Sequence, residues 1–208
     1  MTSERNLEQD TNKASTSWWT SQRDNIRVIG IALIIALFLR LFIAEPRYIP
    51  SGSMLPTLQI NDRIIVEKVS YLFNQPQRGE IIVFYPPKAP AISDTSKPYI
   101  KRIIGLPGDR ISIHDSKVFV NDRPLQESYI AEAPSYNLLF SPQKQDKNQS
   151  SQTATVPPNS YWVMGDNRNY SNDSHVWGFL PKENIIGRAC LRFWPFDGRL
   201  GWLNLPQY

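Results

Sequence analysis

Tyr99-Ile100-Lys101-Arg102-Ile103-Ile104-Gly105-Leu106-Pro107-Gly108-Asp109 is the stretch that decides the fold. Six residues, mostly β-branched or aromatic, run straight into a Gly/Pro/Asp cluster, the pattern of a strand closed by a tight turn. The same pattern lies upstream in Arg63-Ile64-Ile65-Val66-Glu67-Lys68-Val69 and in Glu80-Ile81-Ile82-Val83-Phe84-Tyr85, where Pro86-Pro87 stops the second run. Downstream, Arg110 to Val120 continues it, Asn121-Asp122-Arg123-Pro124 supplies another turn, and Ile185 to Trp194 reads as a final strand. The runs are short and no internal repeat occurs. The expected fold class is mostly β, an antiparallel sheet assembly.

Composition sets the outer limits. A chain of 208 residues that is 41% apolar and 12% aromatic suits one globular domain plus an anchor. The net charge of +4 comes without a block of five or six basic residues, so no nucleic-acid partner is expected. The lone Cys190 forms no internal disulfide, and two histidines with one cysteine make no zinc-type cluster. Asn167, Asn169, Ser171 and Asp173 have the alternate spacing of a calcium loop. The sixth and twelfth places counted from Asn167 are Asn172 and Gly178, where such a loop needs Gly and Glu, so no metal is expected.

Residues 1–25 are polar and of mixed charge and read as a tail. Ile26 to Ala44, IRVIGIALIIALFLRLFIA, would span about 28 Å as a helix, close to the roughly 30 Å of a bilayer core, and is expected to be one transmembrane helix. A cleaved secretory signal fits less well, because a cut after Ala44 would place Phe42 where a small residue is needed. Arg40 can snorkel to the headgroups. Orientation stays open on charge, with Arg23 and Arg27 on one side and Arg40 and Arg47 on the other. Residues 45–208 form the expected β-rich domain, and 141–155, SPQKQDKNQSSQTAT, read as an exposed loop within it.

The chemistry begins at Pro50-Ser51-Gly52-Ser53-Met54-Leu55-Pro56-Thr57-Leu58. Ser53 lies nine residues beyond Ala44, within about 30 Å of the apolar segment, so a reactive Ser53 would work at a membrane surface. A serine hydroxyl needs a base to become a nucleophile. His114 sits in strand-like sequence with no turn to aim it; His175 follows an Asn/Ser/Asp-rich loop and could in principle join a triad, yet no Gly-x-Ser-x-Gly elbow surrounds Ser53. Lys101 is the other base. Strand alternation puts it on the face of Tyr99 and Ile103, and burial there would lower its pKa toward neutrality. Strand lysines are commonly solvated, so composition alone leaves both readings of Lys101 open.

Four segments occur in order: Ser-Gly-Ser-Met-Leu-Pro-Thr-Leu (51–58), Arg-Gly-Glu-Ile-Ile-Val-Phe (78–84), Lys-Arg-Ile-Ile-Gly-Leu-Pro-Gly-Asp (101–109) and Gly-Asp-Asn-Arg-Asn-Tyr-Ser-Asn-Asp-Ser (165–174). Together, from about residue 36 to 195, they resemble the signature boxes of type I signal peptidases, also called leader peptidases. The resemblance implies a single-pass membrane protein of a plasma or thylakoid membrane, its catalytic domain on the trans side. Such an enzyme cuts signal peptides from preproteins with a serine/lysine dyad and no cofactor, so preproteins and membrane lipid are the implied partners. By position Ser53 matches the nucleophile and Lys101 the general base. Ser51 matches the hydroxyl that joins the Ser53 N–H in an oxyanion hole, Ser171 a hydroxyl orienting the lysine amine, and Asp173 a carboxylate supporting that loop. Many members have arginine where this chain has His175; His175-Val-Trp-Gly-Phe-Leu-Pro is more like cyanobacterial and thylakoid members and puts an Asp–Arg pair in doubt.

A signal-peptide cut needs small side chains at the first and third positions before the bond, hence two shallow apolar pockets and a free strand edge. Ile49, Met54, Phe84, Tyr99 and Ile100 are candidate walls and read equally as core. Phe193-Trp194-Pro195-Phe196 and Trp202 fit strand packing better than a lipid-facing patch. Self-cleaving repressors share a related serine/lysine fold but carry a DNA-binding module, for which residues 1–25 are too short. A membrane-tethered, non-enzymatic binding domain would explain the anchor and strands and leave Ser51-Gly52-Ser53 and Lys101 as coincidence.

Overall fold

The computed structural model describes residues 22, 25–138 and 153–206. Most of the expected polar tail and residues 141–152 of the expected loop lie outside them. The chain divides between Ile43 and Ala44 into two units. In the first, residues 25–38 form helix α1, which Leu39–Ile43 continue as a π-helical turn. Large apolar side chains such as Ile34 and Phe38 are exposed along it. The helix expected over 26–44 stops one residue sooner, because Ala44 opens a strand. Among the described residues no helix is long and apolar enough to cross a membrane.

The second unit is mostly antiparallel β, as the alternating short runs require. Its large sheet contains β1 (Ala44–Tyr48), β2 (Arg63–Glu67), β3 (Ile81–Phe84), β4 (Tyr99–Gly105), β9 (Ser160–Met164), β10 (Leu180–Pro181) and β11 (Ile185–Trp194). They lie in the order β1-β2-β11-β3-β4-β9-β10, with β12 (Gly201–Trp202) pairing β11. A smaller sheet has the order β7-β6-β5-β8, from β5 (Arg110–His114), β6 (Lys117–Val120), β7 (Arg123–Pro124) and β8 (Thr153–Thr155). Two single-turn helices, α2 (Ser70–Phe73) and α3 (Ser174–Trp177), complete it.

The unbroken run Ile81-Ile82-Val83-Phe84 marks β3 as buried on both faces, since a strand with one wet face alternates apolar with polar. Ile81, Val83 and, across the ladder, Ile100 enter one core cluster with Ile49, Met54, Leu58, Ile64, Val66 and Ala189. Ile82 and Phe84 join Ile103 from β4 in a second, with Tyr161, Val163, Trp177 and Leu180. A third cluster packs Ile111, Ile113, Val118 and Val120 of the small sheet against Trp162 and Met164 of β9. Each such side chain contributes about 1.5–3 kcal/mol of burial free energy, and together they make β4 a fixed platform. At the β11 bulge between Ile185 and Gly187, a Cβ on Gly187 would collide with the Glu67 carbonyl oxygen, so only glycine allows β11 this close to β2.

Several expectations change. Arg110 to Val120 is a hairpin rather than one run: Asp115 and Ser116 take φ of 50° and 56°, the two left-handed residues of a tight turn that matches strand twist. Thr153–Thr155, assigned to the exposed loop, pair with β5 as β8 and bury Ala154. The short run Ser160-Tyr161-Trp162-Val163-Met164 forms β9, which the sequence reading passed over. Phe196 and Trp202 are not packed within the sheet: they are 77% and 71% exposed, and Trp194 is also exposed.

Candidate active site

Ser53 lies in the connection between β1 and β2, and that connection is held at both ends. Met54 and Leu58 are fully buried, and Leu58 N–H donates to the Met54 carbonyl at 2.9 Å. At its base Ile49 and Asp62 are joined by a 2.9 Å backbone bond. The loop meets β4 beyond the end of β9, which pairs with Arg102, Ile103 and Gly105; among the described residues Tyr99 to Lys101 have no strand on that side.

There Lys101 Nζ stands 2.7 Å from Ser53 Oγ and donates to the Ile100 carbonyl at 2.9 Å. The lysine is only 4% exposed and Ser53 9%. Alternation had placed Lys101 on the face of Tyr99 and Ile103, and that face is buried in the second core cluster. Desolvation pulls the amine from 10.5 to about 8, against the opposing pull of the Asp173 and Asp166 carboxylates. Roughly a tenth of the protein therefore holds an uncharged Lys101 at pH 7. The Tyr99 ring lies 5.6 Å from the amine.

The segment after β9 grips the same loop. Asn167 N–H donates to the Ser53 carbonyl at 3.1 Å, and Asn167 Nδ2 donates to the Gly52 carbonyl at 3.0 Å. Gly165 lies so close that a Cβ there would collide with the Ser53 carbonyl oxygen and the Ser171 hydroxyl. Its N–H donates to Asp173 Oδ2 at 2.8 Å. Asp173 Oδ1 receives the His175 backbone N–H at 3.2 Å and lies 2.8 Å from His175 Nδ1. The Tyr136 ring stacks on the imidazole at 4.2 Å. Burial pushes the Asp173 carboxyl up, but the His175 contacts and the Gly165 N–H outweigh it and hold the group below the usual range. Asp173 is thus paired with His175.

Two further named residues, Ser171 and Ser51, flank the dyad in sequence and differ in burial. Ser171 is buried and its hydroxyl contributes to holding Asp173 ionised, yet its Oγ has no hydrogen bond of good geometry, to Lys101 or to any other group. The amine's other hydrogen bond is the one to the Ile100 carbonyl. Ser51, two residues before the nucleophile, is exposed. Of the five wall candidates, Ile49, Met54, Phe84 and Ile100 are core, and only Tyr99 is half-buried.

Asp166 and Arg168, within the fourth of the signature segments, have partners that the sequence reading did not name. Arg102 forks onto Asp166, Nε to Oδ1 at 2.8 Å and Nη2 to Oδ2 at 2.7 Å, with both side chains almost wholly buried. Thr57 Oγ1 also donates to Asp166, which joins the Ser53 loop, β4 and the 165–173 segment in one network. Arg168 forks likewise onto Glu127, at 2.8 and 2.6 Å, and the Tyr129 ring lies 4.2 Å from the Arg102 guanidinium. The available signal was Arg102 itself, a second charge beside Lys101 in a strand of Ile and Tyr, which needs a carboxylate partner if it is buried.

A hydroxyl against a buried amine of lowered pKa, on a rigid sheet, is an arrangement for attack on a carbonyl, the work of a hydrolase. The family model described as signal peptidase, peptidase S26, matches residues 22–194, and the chain belongs to that family. It is 49% identical to a signal peptidase I of Leptolyngbya laminosa, over 88% of this chain and 84% of that one. A probable signal peptidase I-1 of Synechocystis is also 49% identical, covering 91% and 92%. Thylakoidal processing peptidase 1 of Arabidopsis thaliana is 40% identical over 79% of this chain and 46% of its own length.

Proposed function

We propose that this chain is a membrane-anchored serine endopeptidase that removes signal peptides from translocated preproteins with Ser53 and Lys101 as its dyad. The observation that carries the reading is the 2.7 Å approach of a buried Lys101 amine to Ser53 Oγ. The uncharged amine takes the Ser53 proton as Oγ attacks the scissile carbonyl carbon and the carbonyl electrons move onto oxygen. That oxyanion rests on the Ser53 N–H and the Ser51 hydroxyl, donors of the kind that supply several kcal/mol of transition-state stabilisation. Collapse breaks the C–N bond and the new amine leaves with the proton from Lys101. Water then gives a proton to Lys101, attacks the ester and releases the peptide acid, while Ser53 recovers its proton. Ser171 and Asp173 act through the loop that holds Ser53.

The substrate lies extended along the free edge at Tyr99 to Lys101, an added strand of the usual peptide-recognition kind. Tyr99 borders its small-residue pockets, backed by Ile49, Met54, Phe84 and Ile100. The helical stretch 25–43, about 28 Å long at α-helical rise and lined with exposed apolar side chains, is the single membrane anchor, with residues 45–208 on the trans side. The exposed Trp194, Phe196 and Trp202 suit a domain that rests on lipid. Ser53→Ala and Lys101→Ala, purified in detergent, are each expected to leave a model preprotein uncut while keeping the native fold. Cleavage by Lys101→Ala at the wild-type rate would remove the dyad.

A further inference from the structure

Among the described residues of the β-rich unit, the most exposed pair of adjacent apolar side chains has no role in the site. In α2, Leu72 is 74% and Phe73 81% exposed, and no residue of the turn is buried. The turn is nevertheless held firmly. Glu67 Oε2 accepts the Ser70 N–H at 3.0 Å, the Asn74 N–H donates to the Ser70 carbonyl at 2.8 Å, and the half-buried Tyr71 anchors it through a 2.7 Å bond from its hydroxyl to Glu80. A rigid turn that presents leucine and phenylalanine to water is a surface waiting for an apolar medium.

Its place in the chain says which medium. Glu67, three residues before α2, pairs in register with Ala44, the first residue after the apolar helical stretch. Six residues separate Glu67 from Phe73, so the two exposed side chains lie within roughly 20 Å of that pair, and nearer because the turn is helical. Beside α2 runs a groove of about 550 Å³ to which Leu72, Ile185 and Ile186 contribute apolar surface and Lys68 and Lys182 long amines. Such side chains suit the boundary between acyl chains and headgroups.

We propose that α2 is a lipid wedge: Leu72 and Phe73 enter the bilayer surface beside the point where the chain leaves its anchor. The inference rests on the anchored reading above. It fixes one end of the β1–β2 edge at the membrane, independently of the aromatic group around Trp194.

The test uses the full chain carrying Cys190→Ser, with single cysteines from Phe73→Cys, Ile35→Cys or Lys117→Cys labelled with a polarity-sensitive fluorophore. Each is reconstituted into phosphatidylcholine/phosphatidylglycerol vesicles with or without nitroxide-bearing lipid. Labels at 35 and 73 are expected to be quenched by the lipid nitroxide, and the label at the exposed Lys117 site not. Quenching at 35 with position 73 behaving like 117 overturns the wedge and leaves the anchor standing. No quenching at 35 overturns the anchored reading and the wedge with it. A label at 73 that is shielded from water but unquenched by lipid means a protein covers α2, which also overturns the wedge. In a second readout, the Leu72→Asp/Phe73→Asp variant should cut a short soluble peptide in detergent at the wild-type rate and a preprotein in vesicles at least about threefold more slowly. Equal losses, or none, in the two assays overturn the proposal.

Discussion

Lys101→Met isolates what the buried amine costs the fold. Methionine nearly matches the lysine stem in length and shape but carries no charge to desolvate. The amine is pulled from 10.5 to about 8, a difference of about 2.5 units, and at 1.36 kcal/mol per unit the protonated form destabilises the native state by about 3 kcal/mol. The sign follows from proton binding: between pH 8 and 10.5 the unfolded chain holds the lysine proton and the native state has lost it, so stability rises with pH across that window. Below pH 8 the full penalty is present, and above 10.5 it is gone. Methionine also leaves Ser53 Oγ and the Ile100 carbonyl without their 2.7 and 2.9 Å partner, which costs about 1 kcal/mol each. At pH 7 the variant is therefore expected to be about 1–3 kcal/mol more stable than wild type, by urea denaturation in detergent, and inactive. Raising the pH to 10.5 should erase that advantage. The tyrosines Tyr71, Tyr136 and Tyr161, whose pKa values burial raises, weaken both proteins alike at alkaline pH and cancel in the difference. A stability difference that stays flat from pH 7 to 10.5 would refute the claim that Lys101 is desolvated.

The same amine sets the pH–rate profile: kcat/KM on a model peptide should rise as the amine loses its proton and level off above about pH 8, lying about a hundredfold below the plateau at pH 6. A plateau already reached near pH 6.5 would point to imidazole. Gly165→Ala should abolish cleavage and lower stability by several kcal/mol, because the new Cβ meets the Ser53 carbonyl and the Ser171 hydroxyl; wild-type kinetics for this variant would mean the 165–173 segment does not grip the nucleophile. Arg102→Met leaves a fully buried Asp166 short of its fork and should cost about 3–5 kcal/mol, read by thermal unfolding. His175→Asn keeps a donor in reach of Asp173 and should retain most activity, whereas His175→Leu should lower kcat more than it changes KM. Equal activity in the two would deny His175 its positioning role.

The sequence was most readable where residues had one environment to choose. Ile81 to Phe84 and Tyr99 to Gly105 are rich in β-branched and aromatic residues and bounded by turn residues, Ile185 to Trp194 opens on two isoleucines and ends on two aromatics, and all three are strands. The face of Lys101 followed from alternation, but its burial did not, since the core cluster formed on the side of Ile103 draws Tyr161, Val163 and Trp177 from β9 and α3, far along the chain. The Asp115-Ser116 turn was hidden because neither residue is a glycine or proline. The hydrogen bond from Lys101 to the Ile100 carbonyl depends on backbone geometry, which side-chain identity does not encode. His175 was visible as a departure from a pattern; its partner became visible only when the loop had folded.

The position of β11 has a consequence for the life of the nascent chain. It lies between β2 and β3, so the strand that follows the Ser53 loop and the strand that precedes β4 are laddered together by a strand made some eighty residues after the lysine. Apart from β12, residues 185–194 are the last part of the large sheet to be made, and the frame beneath Ser53 and Lys101 closes only when they are in place.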